Sequence, residues 1–305
     1  MKCFITGIGG FVGPYLARHL LEQGHEVSGI DRASATLKNT KILVCDITDR
    51  ELLLNILKSE RPDWIFHLAG QSSVEKSFEQ PELTRQINVE GTKNLLDCAL
   101  NAGLRSRILV VSSSEVYGKQ EELPVRETAT PNPPSPYAQS RLEQERLCIN
   151  YYADRGMDIV ISRSFNHTGP GQQPVFVCSD FARQIVEIEK GKLDAVRTGN
   201  LEVGRDFLDV RDVVKAYALL LERGRAGEFY NVCSGKGYKI GEILGILKGM
   251  SKQAISVEQD PGKIKKGDYS IYGDNSKIKK EVGWTPSIPI ESTLRDILDY
   301  WRKNA

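Results

Sequence analysis

Two stretches of this chain carry residue types at spacings that can do chemistry. Residues 137–141 read YAQSR, a tyrosine four places ahead of a basic residue. On a helix, positions i and i+4 share a face, so Tyr137 and Arg141 stand side by side. A free phenol titrates near pH 10, and a cation that favours its charged form lets it exchange protons closer to neutrality. Arg141 supplies that charge and cannot lose it. The second stretch is TGIGGFVG over residues 6–13, with Gly7, Gly10 and Gly13 in a GxxGxxG spacing. One glycine permits a tight turn, one lets the backbone approach a pyrophosphate, and one lets helix and strand pack closely. A helix opening around Phe11, Val12 and Gly13 turns free N–H groups and the positive end of its dipole toward a diphosphate. Pro14 suits that first turn, because its missing N–H has no helical partner there.

Such groups need a scaffold, and the hydrophobic pattern describes one. KCFITG, HEVSGID, TKILVCDI, PDWIFHLAG, RILVVSSS and MDIVISRS are short, apolar and closed by turn signals, as strands buried on both faces are. Between them, YLARHLLEQG, ELLLNILKSE, NVEGTKNLLDCALNAG and SRLEQERLCINYYADRG carry apolar residues at helical spacing. Gly24 and Gly103 fall where helix C-caps are expected. Strand–helix alternation of this kind means right-handed βαβ units. The fold class is therefore α/β, a Rossmann-type doubly wound parallel sheet with a smaller C-terminal α/β substrate lobe. Residues 1–165 are expected to form the dinucleotide-binding domain and 166–305 mainly the substrate-binding lobe, with later segments free to return to the first sheet. In that second part SDFARQIVEIEKG reads as a capped helix, GEFYNVCSG as a strand, and IPIESTLRDILDYWRKN as an amphipathic helix opened near Ser292.

Composition excludes several function classes. Net charge is +1 with 27% charged residues, so no general nucleic-acid or membrane surface is expected. Six cysteines without CxxC pairs, several inside apolar runs, read as reduced core thiols in a cytoplasmic protein. The N-terminal apolar run is too short for a signal peptide, and no stretch reaches the length of a membrane span. The four histidines lack ligand spacing with Cys, Asp or Glu, so no metal is expected.

Further residues lie where ligands of open sheets bind. Asp31 ends the second strand, 18 residues after Gly13, and can accept hydrogen bonds from ribose hydroxyls, which favours NADH. Arg32 follows it and can meet a 2′-phosphate, which favours NADPH. The choice stays open. Asp46 and Ile47 follow the third strand, where they could hold the adenine edge; Asp46 reads equally as a helix cap. Gln71 and Ser72 follow HLAG at a strand's carboxyl end, on the ligand side. Lys263, with Lys265 and Lys266, forms the densest basic cluster and reads either as a diphosphate contact or as a solvated loop.

TGIGGFVG, HLAG, SSSEVYG and YAQSR together resemble the extended short-chain dehydrogenase/reductase family, in its nucleotide-sugar branch. The resemblance implies that Tyr137 is the general acid/base and that the basic residue at 141 supports it and holds the nicotinamide ribose. It implies that Ser113 hydrogen-bonds the substrate oxygen and that Leu68, Ala69 and Gly70 line the cofactor. Glu115 matches the acid/base glutamate of the branch's 4,6-dehydratases, although keto-sugar reductases also carry it. Arg141 departs from the usual lysine; it keeps the charge but has a larger, planar head. RSFNHTGPGQ, GNLEVGRDFLDVRDVVKAY and FYNVCSGKG resemble the GDP-4-keto-6-deoxyhexose reductases of the branch. That implies reduction of the C4 keto group of GDP-4-keto-6-deoxy-D-mannose to GDP-D-rhamnose by NADPH or NADH. It also implies that Asn166 contacts the substrate diphosphate or sugar, that Arg205 meets the nucleotide end, where a guanidinium suits a diphosphate, and that the chain forms a homodimer. A salt bridge from Arg205 to Asp206 or Asp209 is the alternative for that residue, and His167 is either an aromatic shelf beside the cofactor or a satisfied loop histidine. The rival activities are a 4,6-dehydratase or epimerase, and a dinucleotide-binding protein that has lost its chemistry.

Overall fold

The computed structural model describes residues 1–264 and 268–304. The first half alternates as the pattern predicts: β1 (Lys2–Thr6), α1 (Gly13–Glu22), β2 (Glu26–Asp31), β3 (Lys41–Val44), α2 (Arg50–Glu60), β4 (Trp64–His67), α3 (Val74–Glu79), α4 (Pro81–Arg85), α5 (Gly91–Asn101), β5 (Arg107–Ser113), α6 (Pro136–Arg155) and β6 (Ile159–Ser164). The second half runs β7 (Asn166–Thr168), α7 (Val177–Glu189), β8 (Ala195–Thr198), β9 (Gly204–Asp209), α8 (Val210–Arg223), β10 (Phe229–Val232), β11 (Gly237–Lys239), α9 (Ile240–Gly249), β12 (Ser256–Gln259), α10 (Ser276–Val282) and α11 (Ile290–Asn304).

Seven strands pair in parallel in the order β3–β2–β1–β4–β5–β6–β10. Winding reverses between β1 and β4, the point at whose carboxyl side open sheets of this kind bind ligands. Both faces of the sheet are covered, so its central strands are largely buried. Leu16 and Leu20 of α1, Val213 and Leu220 of α8 and Ile278 of α10 close one face. Leu53 and Leu57 of α2, Leu95 and Leu96 of α5 and Cys148 of α6 close the other. A separate core forms among α7, α9, α11 and β9 around Phe181, Ile185, Leu244, Leu294 and Phe207. The late segment GEFYNVCSG supplies β10, which extends the large sheet beside β6.

Boundaries differ from expectation where polar residues take interior positions. α7 begins at Val177 without a side-chain cap; Ser179 lies within it, donating to Gln172 O and accepting from Trp301 Nε1. α11 opens at Ile290, straight after Pro289, rather than at Ser292. The helix expected from Asn88 begins earlier: α4 continues through a wider, i→i+5 turn over Gln86–Glu90 into α5. Gly24 and Gly103 adopt φ of +79° and +64° just beyond α1 and α5, the left-handed conformation expected of them.

A buried polar link ties β1, β4 and α5 together. The Thr92 hydroxyl donates to Asn88 O at 2.6 Å, so it meets His67 Nε2, 2.8 Å away, with a lone pair. His67 must then donate from Nε2 and accept at Nδ1 from Thr6 Oγ1, 2.8 Å away. Burial, helped by the nearby Arg141 charge, pushes the imidazole down to about 3. An unfolded histidine titrates near 6.5, so between these values the unfolded chain binds a proton that the folded chain refuses. The stabilisation is whole above pH 6.5 and falls as pH drops, by at most about 1.4 kcal/mol per pH unit. His67→Gln, whose amide can donate to Thr92 and accept from Thr6, should show a shallower fall in unfolding free energy between pH 7 and pH 5 than the parent chain. Urea titrations at both pH values measure this, and equal falls would show that His67 does not titrate there.

Candidate functional site

The glycine loop sits where β1 hands over to α1. Gly7 has φ +72°, and a Cβ there would lie 2.9 Å from the Ala69 backbone. A Cβ on Gly13 would lie 2.2 Å from Ile8 O, so the helix start closes onto the loop as only glycine allows. The loop therefore lies against the turn after β4, where Leu68, Ala69 and Gly70 follow His67. No side chain caps the N-terminus of α1, which leaves its first N–H groups for a ligand. The Phe11 ring stacks parallel to His167 with centroids 6.3 Å apart, and His167 Nδ1 bonds Phe165 O. His167 thus lies in β7 rather than a loop, with Nδ1 bonded within the chain and its ring stacked on the glycine loop.

Tyr137 and Arg141 occupy the first turns of α6, which Ser135 caps by accepting the Ala138 N–H. Both are buried, with the guanidinium 5.3 Å from the centre of the phenol ring. Arg141 is therefore not on a solvated helix face. Its Nη1 donates to Val111 O at 3.1 Å and Gln144 Oε1 at 3.0 Å, while Nε is buried without a partner among the described residues. No ion pair forms on it among those residues. A Cβ on Gly70 would come within 2.6 Å of Arg141 Nη2, so a bare backbone is needed where the charge faces the β4 turn. An uncapped helix end, a cradle that Cβ atoms would fill and an unpaired buried cation fit a nicotinamide dinucleotide.

Ser113 ends β5, and its hydroxyl accepts the Glu115 N–H at 3.2 Å, closing the short turn over Ser114–Tyr117. The Glu115 carboxylate accepts the Tyr269 hydroxyl at 3.2 Å. Burial and the Glu115 charge push that phenol up, so it stays a donor. Arg205 in β9 stacks on the Tyr269 ring at 5.3 Å and donates to the carbonyls of Tyr269 and Gly204. It bridges to neither Asp206 nor Asp209. Asp206 accepts backbone N–H groups of Ser234 and Gly235, and Asp209 pairs with Arg211. Asn166 begins β7, in register with Phe207 beside Arg205.

Other expected contacts are differently engaged. The Asp31 carboxylate accepts the Gly9 N–H at 3.0 Å and the Ala33 N–H at 3.3 Å; Arg32 is exposed beside it. Asp46 is not a helix cap. It accepts both the N–H and hydroxyl of Thr48, which with Arg32 hold its carboxyl below the usual range, while Asp49 caps α2. Ile47 is buried against Gly91. The Gln71 side chain turns inward to Ser73 and Thr84, whereas Ser72 is exposed; Ser73 caps α3. Lys263 pairs with Asp180 at 3.0 Å and donates to Arg197 O. Lys265 and Lys266 lie outside the described residues.

Three residues near these groups escape a reading by motif. Asn88, in the widened turn before α5, bonds Gln71 N and O and the Ser140 hydroxyl. Gln144 meets Arg141, and Tyr269 meets Glu115. Asn88 and Gln144 are polar residues on inward helix faces, a pattern the sequence does show; Tyr269 lies in a coil that carries no such signal.

Comparison with known proteins agrees with this geometry. Residues 4–297 match the profile of the family described as GDP-mannose 4,6 dehydratase. A GDP-6-deoxy-D-mannose reductase from Pseudomonas aeruginosa is 37% identical, covering 98% of this chain and 97% of that protein. A GDP-mannose 4,6-dehydratase from Yersinia enterocolitica is 30% identical over 97% of this chain and 92% of that protein. Among solved structures, RMD from Pseudomonas aeruginosa complexed with NADPH superposes with a TM-score of 0.89 at 35% identity, covering all of both chains. The UDP-glucose 4-epimerase of Thermus thermophilus in complex with NAD gives 0.90 at 28% identity, again over both whole chains. This chain belongs to the GDP-mannose 4,6 dehydratase family, within the NAD(P)-dependent extended short-chain dehydrogenases/reductases.

Proposed function

We propose that this protein reduces the C4 keto group of GDP-4-keto-6-deoxy-D-mannose to GDP-D-rhamnose with NADPH or NADH. The observation that carries the reading is Tyr137 beside the buried, unpaired Arg141, at the carboxyl ends of β4 and β5 and within reach of the glycine cradle. Residues 1–165 hold the cofactor, and residues 166–305 mainly hold the sugar nucleotide. Gly7, Gly10, Phe11, Val12 and Gly13 surround the diphosphate of the dinucleotide, with Asp31 and Arg32 at its adenosine end. A bound reduced nicotinamide supplies the hydride that C4 receives.

The chain's own groups handle the proton and the charge. Tyr137 gives its phenolic proton to O4 as negative charge develops there. Ser113 donates a hydrogen bond to the same oxygen. Arg141 offsets the charge left on the phenol and offers its free edge to ribose hydroxyls. Arg205, whose charge is not neutralised by Asp206 or Asp209, meets the GDP diphosphate with Asn166 and Ser72 beside it. Gln71 and Lys263 are spent on internal partners and are left out of this contact set. Six free, buried thiols suit a cytoplasmic protein, and two copies pair through α5 and α6 as a homodimer.

A 4,6-dehydratase is the second reading, because Glu115 stands beside Ser113 at the end of β5. Tyr269 favours the reductase: its hydroxyl occupies a Glu115 oxygen that a dehydratase would use to take a proton.

The primary test is loss of reduced-nicotinamide absorbance when the protein meets the GDP-keto sugar, with NADPH and NADH supplied separately. Oxidation with GDP-D-rhamnose as product is expected. Turnover of GDP-mannose without added reductant would establish the dehydratase instead, and dinucleotide binding without either reaction would mark a binding protein. Tyr137→Phe should lower kcat by about 10²-fold or more with little change in KM, and Ser113→Ala by about 10²-fold. Full activity in Tyr137→Phe would sink the assignment. Glu115→Gln should cost the reduction less than about tenfold, whereas a dehydratase would lose at least about 10²-fold. Product analysis by chromatography distinguishes these results.

A further inference from the structure

We propose that Gln144 is a positioning residue that seats Arg141 against Tyr137, through an amide whose orientation is locked by a buried relay. The inference rests on the reading of Tyr137 and Arg141 as the working pair. Gln144 lies fully buried, one helical turn beyond Arg141. Its amide can be placed two ways, and its neighbours select one. Thr92 spends its only proton on Asn88 O, so it meets every other neighbour with a lone pair. Gln144 must therefore turn its NH₂ group to Thr92, 2.7 Å away, and its Oε1 to Arg141 Nη1, 3.0 Å away. The same lone-pair side of Thr92 receives His67 Nε2–H. His67 is held by Thr6, whose hydroxyl accepts the Ala69 N–H at 3.1 Å. A flipped Gln144 would set two donors against each other at Arg141 and two acceptors or idle groups at Thr92. In a buried site that arrangement is costly, so Oε1 is a fixed acceptor.

The consequence falls on Arg141. Val111 O and Gln144 Oε1 use both hydrogens of Nη1, which leaves Nε and Nη2. Those two atoms form the edge with which a guanidinium binds a pair of oxygens. Nη2 lies beside Gly70, and Nε is buried without a partner among the described residues. Gln144 thus occupies the back of the fork and turns the open edge toward the β4 turn. A lysine has one nitrogen and no second edge, so it cannot be seated from behind and present two aligned donors in front. Gln144 is matched to an arginine at 141.

A double-mutant cycle between positions 141 and 144 tests this. Gln144→Met removes the acceptor at nearly constant volume. In the parent chain it should weaken NADPH binding, read by nucleotide fluorescence without any sugar, and lower kcat, each by about tenfold. In an Arg141→Lys background the same change should alter both by no more than about twofold. Gln144→Glu keeps an acceptor for Nη1, with Thr92 turning its proton from Asn88 O to the second carboxylate oxygen, and adds a negative charge; it should hold NADPH affinity within about twofold while lowering kcat by about tenfold. Equal losses from Gln144→Met in both backgrounds, no loss in either, or equal losses of affinity in the Met and Glu variants would overturn the proposal. Because the binding arm needs no keto sugar, it still reports if the substrate assignment is wrong, and that failure would appear separately as a parent chain that binds NADPH but leaves the keto sugar unreduced.

Discussion

The rest of this site depends on a cation kept out of water without a counter-charge. Two buried arginines show how unusual that is. Arg163 in β6 lies against Glu145 with both carboxylate oxygens at 2.7–3.0 Å, and the pair is 5% and 2% exposed. Tyr117 and Phe229 cover its faces. Burying an ion costs several kcal/mol, and such a pair offsets that cost within itself. Arg141, only four residues ahead of Glu145 on the same helix, has no such partner among the described residues; it is held by two neutral acceptors and the face of a phenol ring. In the proposed reaction this uncompensated charge faces the oxygen on which negative charge develops. The fold spends stability at this point and recovers it in the packing of α6 against β5 and β6.

That arrangement explains why glycines gather around it. A side chain on the turn would displace a guanidinium this close to it, and Gly70 stands opposite Arg141. The same turn must touch the loop after β1, which places Gly7 opposite Ala69. The switch point between β1 and β4 is thus a stack of close approaches: glycine loop, β4 turn, guanidinium, phenol. Thr6, His67 and Thr92 cross it beneath as neutral groups with every hydrogen bond directed. A neutral imidazole is essential to that layer, since a second buried positive charge next to Arg141 would repel it.

The sheet and its cradle were readable because buried parallel strands and glycine turns write themselves in local pattern. Six strands, the loop at residues 7–13 and the Tyr137–Arg141 face all follow from periods of two or 3.6 and from fixed spacings. What was not readable depends on contacts across long separations. β10 pairs with β6 although α7 and α8 intervene, and Tyr269 reaches Glu115 from 154 residues away. Gln71 and Lys263 carry the right chemistry for a substrate, but Thr84 and Asp180 take up their polar ends, and nothing local announces those partners. Helix starts failed for a related reason. A serine looks like a cap wherever it precedes an apolar run, yet Ser179 finds Gln172 and Trp301 through tertiary packing and lies inside the helix.

The connection between the two cores bears on how specificity arises. Phe11 stacks on His167, so the glycine loop touches the strand that begins with Asn166. Tyr269 touches both Glu115 at the end of β5 and Arg205 in β9. The Tyr269 hydroxyl thus occupies one oxygen of the Glu115 carboxylate. An anion arriving at Arg205 meets a guanidinium stacked on the Tyr269 ring and bonded to its carbonyl, so that position and Glu115 share one residue. Tyr269, outside every motif read from the sequence, thus links the carboxylate at the end of β5 to the guanidinium in β9.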